Sequence, residues 1–394
     1  MSLPALEVAD VMRAWGGEYI RLYGDRMPAI HRKAIGDMTA CRTPAMGGAT
    51  YHCPDCDHYH YSYHSCGNRN CNKCGNNRAQ DWLEKTGKLL LPVEHFMVTF
   101  TLPGDLRRMA RSHQRLFYGL LMRCAADALQ TLGWDSRFVG GQMAMMGVLH
   151  TWGRDLSYHP HVHMIVAGGG LWEDEELWLD TRTDFLMPVK ALSKIVAAKF
   201  RDGLKKQTPE LFGEIDSSVW RSPWVVHSQP VGKGQAALKY LATYIFRPAI
   251  SNGRLLSLDN GTVSFCYQDS QTKQWKVCRL RAVEFIRRYL HHVLPRGFVK
   301  VRYYGLYGHR HRERLERLRA TLDHSTVEKI TSSSEQVEVS PPQTPTPTHA
   351  TCRHCGQQML VVATIPRGGP WPKAPPGNGT AFRQHSSHQA ANAL

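Results

Sequence analysis

"GQMAMMGVLHTWGRDLSYHPHVHMIVAGGG", residues 141–170, decides the fold class. Two apolar runs flank the polar segment "GRDLSY", the pattern of two strands joined by a turn. In the second strand, residues i and i+2 face the same side. His161 and His163 therefore present their imidazoles to one face, while Val162 and Met164 go to the other. His150 lies thirteen residues before His163, and a hairpin through "GRDLSY" brings it opposite. Neutral imidazoles bind several divalent ions, and three protein ligands leave coordination positions for substrate oxygens. His159 falls on the same side and is a further candidate.

Working outward, "HFMVTFTL" and "PWVVHSQP" read as strands, as do "GTVSFCYQ" and "TKQWKVCRL". "DLRRMARSHQRLFYGLLMRCAADALQTL", "PVKALSKIVAAKFRDGL", "GKGQAALKYLATYIF" and "AVEFIRRYLHHVL" read as helices. A central hairpin with interspersed helices predicts an α+β domain with a mainly antiparallel sheet over residues 93–322. Residues 1–48 form an N-terminal helical segment and 49–92 a cysteine-rich module. Residues 323–394 make a linker and tail: "TSSSEQVEVSPPQTPTPTHA" has linker composition, and the last thirty residues have the composition of disorder. A length of 394 residues fits two or three such units.

Lys and Arg number 49 against 33 Asp and Glu, giving a net charge of +16, with clusters in "RLRAVEFIRRYLHH" and "YGHRHRERLERLR". A field of that sign favours polyanions, nucleic acid first. Apolar runs such as "MVTFTL" fall far short of the roughly 20 residues of a spanning helix. The N-terminus "MSLPALEVAD" lacks the charged and apolar regions of a signal peptide. The expectation is a soluble cytoplasmic chain with no membrane association.

Five of eleven cysteines, Cys53, Cys56, Cys66, Cys71 and Cys74, lie close together in sequence. "CPDC" and "CNKC" are two Cys-x2-Cys knuckles at a spacing that lets two turns share one tetrahedral Zn²⁺. Cys53, Cys56, Cys71 and Cys74 are the expected ligands. A site closed by four protein ligands is structural. Cys66 is surplus to one tetrahedron, or replaces one of the four. "CRHC" at 352–355 is a third pair, with no fourth near it in sequence.

Tyr240 and Tyr244 in "KYLATYIF" are four apart on an expected helix, about 5–6 Å apart at Cβ and on one face. A phenol reaching a metal-bound phosphate can act as a nucleophile and form a phosphotyrosine. Two phenols allow two successive transfers. "VGKGQ" lacks phosphate-loop spacing, so any strand separation falls to other machinery.

"HPHVHMIVAGGG" resembles the His-hydrophobe-His motif of the HUH single-strand endonucleases. "YLATYIFRPAIS" resembles the two-tyrosine motif of their IS91 transposase branch. The likeness extends through "YHSCGNRNCNKC", "FTLPGDLR", "EFIRRYLHHVLPRGF" and "VRYYGLYGHRHR", over roughly residues 30–320. It implies a zinc-binding N-terminal module and an antiparallel sheet carrying the histidines. It also implies Mg²⁺- or Mn²⁺-dependent cleavage leaving a 5′-phosphotyrosine during rolling-circle transposition. On that resemblance His161 and His163 hold the ion, Tyr240 and Tyr244 attack, and single-stranded DNA at element termini is the substrate. His150 as third ligand also has a parallel in the three-histidine relaxases. A host helicase or the replication machinery would open the duplex in the bacterial cytoplasm. A plasmid replication initiator or relaxase would use the same chemistry. A zinc-dependent DNA-binding regulator would explain charge and cysteines but leave the histidines and tyrosines unused.

Overall fold

The computed structural model describes residues 5–74, 76–172, 177–233, 238, 248–330 and 350–368, without the side chains of 76–81 and 324–330. They fall into two units, Met1–Cys41 with Cys66–Pro341, and Arg42–Ser65 with Pro342–Leu394. In chain order the strands are β1 (Gly48–Cys53), β2 (His58–Tyr63), β3 (Glu94–Thr101), β4 (Gln142–Trp152), β5 (Tyr158–Trp172), β6 (Leu177–Asp180), β7 (Val225–Lys233), β8 (Leu255–Asp259), β9 (Thr262–Gln268), β10 (Trp275–Arg281), β11 (Val301–Gly305) and β12 (Leu360–Ile365). The helices used below are α1 (Val8–Tyr23), α2 (Ala29–Ala40), α3 (Asn76–Gly87), α4 (Arg107–Ser112), α5 (Gln114–Gly133) and α6 (Val189–Gln207).

The main sheet of the first unit runs β11-β4-β5-β3-β7, with β6 on the far end of β5, and every pair is antiparallel. The α+β class with a central antiparallel sheet is thus what the chain adopts. Both faces are covered. Phe96, Val98, Phe100, Val162, Met164 and Val166 pack with α5 and α6 on one side. Met97, Met146, Val148, Ile165 and Ala167 meet Leu315, Leu318 and Tyr307 on the other. Burial on both faces explains why β4 and β5 read as nearly continuous apolar runs instead of a strict alternation. The glycines that end β5 are required by crowding. A Cβ on Gly169 would lie 2.5 Å from the Leu179 carbonyl oxygen of β6.

The hairpin turn is held by its own polar groups. The N–H of Gly153 donates to the Ser157 carbonyl at 2.9 Å, and the Asp155 carboxylate accepts from the Ser157 N–H and hydroxyl. Leu156 sits at φ +64°, a conformation uncommon for a side chain of its size. Its full burial in a second core, among α1, α2, β8–β10 and the helix Ala282–Leu290, holds it there.

Three local readings change. The single helix expected from Asp105 divides at His113, whose φ of −120° and ψ of +47° leave the helical region between α4 and α5. β11, unanticipated in "VRYYG", supplies the sheet edge beside β4. The tail contributes β12, which pairs with β1 in the second unit to give the sheet β12-β1-β2. Of the helix expected across "GKGQAALKYLATYIF", Gly232 and Lys233 belong to the end of β7, and the rest but for Leu238 lies outside the described residues. No helix among the described residues is long and apolar enough to cross a membrane.

Candidate functional site

Along one face of the sheet the side chains change from apolar to polar toward one end. Met97, Val148 and Ile165 give way to Thr99, His150, His161 and His163, following the alternation of β3, β4 and β5. His150 pairs directly with His161, and Val148 with His163. The ring centroids lie 5.4 Å apart for His150 and His161, 4.7 Å for His150 and His163, and 4.8 Å for His161 and His163. One nitrogen from each of the three falls within 4.8 Å of the others. His159, 5.3 Å from His161 between ring centroids, is outside this three-residue group.

A neighbouring carbonyl fixes the tautomer of His161. His161 Nδ1 lies 2.7 Å from the His159 carbonyl oxygen, which can only accept, so Nδ1 carries the proton and Nε2 keeps its lone pair. His163 Nδ1 lies 2.9 Å from Thr99 Oγ1, across the β3–β5 pairing, and stands ready for the same arrangement. Such outer hydrogen bonds orient metal-binding imidazoles. Replacing Thr99 by Val keeps the shape and removes the acceptor. The expected result is a loss of about 10–100-fold in Mn²⁺ affinity by calorimetry, and unchanged affinity would contradict this role.

Burial, with the positive charge of Lys300 nearby, holds His161 down to about 4 and His163 down to about 3. Both are neutral at neutral pH and available as ligands. Since the ordinary imidazole value is 6.5, the unfolded chain takes up protons below that pH which the folded histidines refuse until about 4. Stability therefore falls as pH drops through that window. Mn²⁺ affinity, by contrast, should change less than about twofold between about pH 5 and about pH 6, a window above the values of both imidazoles and below that of Lys300, which is held at about 7. A drop of about tenfold toward the lower pH would mean that these imidazoles titrate as free histidines.

Cations flank the cluster. Lys300 follows β4 through its carbonyl, which accepts from the Leu149 N–H at 3.0 Å, and its Nζ lies 4.9 Å from the centre of the Trp152 ring. Burial pushes its ammonium down to about 7. The charge of Arg107, at the start of α4, also reaches His159 and His161. Neutral metal-type nitrogens beside two cations suit a divalent ion and a phosphate together.

The cysteines are grouped differently from the expectation. Cys71 and Cys74 converge with Cys41 and Cys66, with Sγ–Sγ separations of 3.5 Å for Cys41 and Cys74 and 3.6 Å for Cys66 and Cys74. Cys53 and Cys56 converge instead with Cys352 and Cys355. The expected set Cys53, Cys56, Cys71 and Cys74 is thus corrected to two four-thiol clusters, one in each unit. The physical reason is local. Cys41 caps α2 at its C-terminus, and its Sγ accepts from the Cys66 N–H, so that corner closes around the second knuckle. The loop is pinned to the second core through the Tyr289 hydroxyl, which donates to Asn70 O, and through Asn72 Nδ2, which donates to Ile250 O at 2.8 Å. Cys66 was legible as a substitute ligand. Cys41 stands alone in sequence and carried no spacing signal.

Tyr240 and Tyr244 lie outside the described residues.

A family described as "Putative transposase" matches residues 144–314, and one described as "Transposase zinc-binding domain", of the IS91 type, matches residues 11–102. The "Putative transposase y4qJ" of Sinorhizobium fredii is 35% identical over 325 residues, 78% of this chain and 81% of the relative. This chain belongs to the IS91 transposase family. The "Transposase for insertion sequence element IS801" of Pseudomonas savastanoi pv. phaseolicola is 29% identical over 302 residues, 71% of each chain. No solved structure matches the transposase. The first family match spans the hairpin with all three histidines, and the second spans Cys41, Cys66, Cys71 and Cys74. Zinc as a structural ion and DNA as the binding partner follow for the transposase from family and cysteine clusters together.

Proposed function

We propose that this transposase nicks and rejoins single-stranded DNA at insertion-sequence ends through a 5′-phosphotyrosine, with Mg²⁺ or Mn²⁺ at the three histidines. The observation that carries this reading is the convergence of His150, His161 and His163 on one face at the end of the sheet, with Nε2 of His161 left free by its carbonyl partner. A divalent ion bound there supplies Lewis-acid polarisation of the scissile phosphate. His161 and His163, neutral and half-buried, orient the site at no cost in proton release. Lys300 and Arg107 offset the charge of the phosphate backbone.

Tyr240 or Tyr244 attacks phosphorus through its phenolic oxygen. The new bond is Tyr O–P, the bond broken is P–O3′, and the proton lost by the phenol is balanced by the one taken up at the departing 3′-hydroxyl. The phosphodiester energy is kept in the covalent link, so a free 3′-hydroxyl can reverse the step and join a new strand. Strand opening is assigned to a host helicase or to replication, and the site of action to the bacterial cytoplasm. Cleavage of labelled single strands from the element's own termini, against the same sequence as duplex, tests the reading. Cleavage confined to single strands and abolished by chelator is the expected outcome; equal cleavage of duplex, or cleavage in chelator, would overturn it.

A further inference from the structure

We infer that the transposase holds a second zinc ion through Cys53, Cys56, Cys352 and Cys355, closing its C-terminal segment onto the β1–β2 hairpin as a zinc ribbon. The family match that names a zinc-binding domain ends at residue 102, so it contains only half of this ligand set.

The four sulfurs converge from positions about three hundred residues apart. Cys53 and Cys355 approach to 3.4 Å between Sγ atoms, and Cys56 and Cys352 to 3.6 Å, with all four within 4.8 Å of one another. Each pair is a Cys-x2-Cys turn built alike. The residue after the second cysteine is left-handed in both, Asp57 at φ +53° and Gly356 at φ +79°. Backbone N–H groups point at the sulfurs two residues behind them: His58 at Cys56, His354 at Cys352 and Gln357 at Cys355. The turn at 352–355 is closed further by the Cys352 N–H donating to Gln357 O at 2.7 Å and the Gly356 N–H donating to Cys352 O at 2.8 Å. Paired turns of this kind, with amides aimed at thiolates, form the tetrahedral all-sulfur site that zinc occupies as a structural ion.

The fold around the sulfurs needs such a link. In this unit β12 pairs with β1 from Gly48↔Ile365 to His52↔Leu360, and β1 pairs with β2. Among the described residues its buried hydrophobic cluster consists of Cys53, Cys352 and Met359, with Tyr51, Cys56 and Ala350 half-buried against it. Leu360, Val361 and Val362 are each more than half exposed, so β12 buries only Ile365 at its end. Three strands with so small a core do not hold together by hydrophobic burial. A bound metal supplies folding free energy that such small modules lack. A disulfide pairing would use the sulfurs two by two and leave the amide-to-sulfur contacts without charge to stabilise.

The full-length chain, purified under reducing conditions, should contain two zinc ions by elemental analysis and native mass spectrometry. Its eight cluster cysteines should resist iodoacetamide. The variant C352S/C355S should contain one zinc, with Cys53 and Cys56 becoming reactive while Cys41, Cys66, Cys71 and Cys74 stay protected. One zinc in the wild-type chain, iron in place of the second zinc, or Cys352 and Cys355 alkylated in the wild type at the rate of an exposed thiol would each overturn the inference. The wild-type readings stand whether or not the variant folds.

Discussion

His161→Ala and His163→Ala will each lower Mn²⁺-dependent cleavage of single-stranded DNA by about three orders of magnitude or more, about 4 kcal/mol of barrier. DNA binding will stay within about threefold of the wild type. The two effects separate because they rest on different residues. The imidazoles are neutral, held down to about 4 and about 3 by burial, so their removal takes no charge from the surface that meets phosphate. A net charge of +16 remains to attract the DNA. Each imidazole, however, is one of three nitrogens in a group whose members lie within 4.8 Å. Either truncation leaves two ligands, and a divalent ion bound by two neutral side chains is lost at ordinary concentrations. Paired gel-shift and cleavage assays read the two quantities, with circular dichroism to verify the fold. Full cleavage by either variant would take the hairpin out of the active site.

The second large effect concerns the paired phenols. Tyr240→Phe and Tyr244→Phe each keep the ring and remove only the hydroxyl, so each variant should stay folded. The remaining hydroxyl can still cut a simple oligonucleotide when the other is missing. Transposition should nevertheless fall by about three orders of magnitude in both. Coupled cleavage and rejoining need one tyrosine to hold a DNA 5′ end while the other attacks. The double variant should form no covalent adduct. Wild-type transposition by one single variant would reduce the mechanism to one nucleophile, with the other serving as packing.

How much of this was legible in the sequence depends on the distance between the residues involved. The hairpin was legible because its signals are local: a two-residue period places His161 and His163 on one face, and the thirteen-residue span to His150 places it across a short turn. The register pairs His150 with His161 across an irregularity between His150 and Trp152, which strand alternation and turn length alone do not show. The cysteine grouping was not legible for the opposite reason. Spacing shows which cysteines share a turn, but not which turns share an ion. Cys53 and Cys56 find partners 296 and more residues away, while Cys41 approaches through the end of α2. The same limit hid β11, whose five residues carry no strong period and join the sheet only because β4 offers an edge. Thr99 and Lys300 carry no motif; they acquire a place at the site through β3 pairing with β5 and through the chain passing beside Leu149.

The central claim, a metal-dependent covalent DNA link formed by this chain, is tested most directly by one gel. Full-length protein is incubated in Mn²⁺ with a single strand of its element's terminus labelled at the 3′ end, then denatured, resolved and digested for peptide mapping. A 5′-phosphotyrosine keeps the labelled fragment on the protein, so the account predicts a labelled band at the protein's position, absent in chelator, mapping to the peptide with Tyr240 and Tyr244. Cleavage with all label in free DNA, or an adduct that forms equally in chelator, would contradict it.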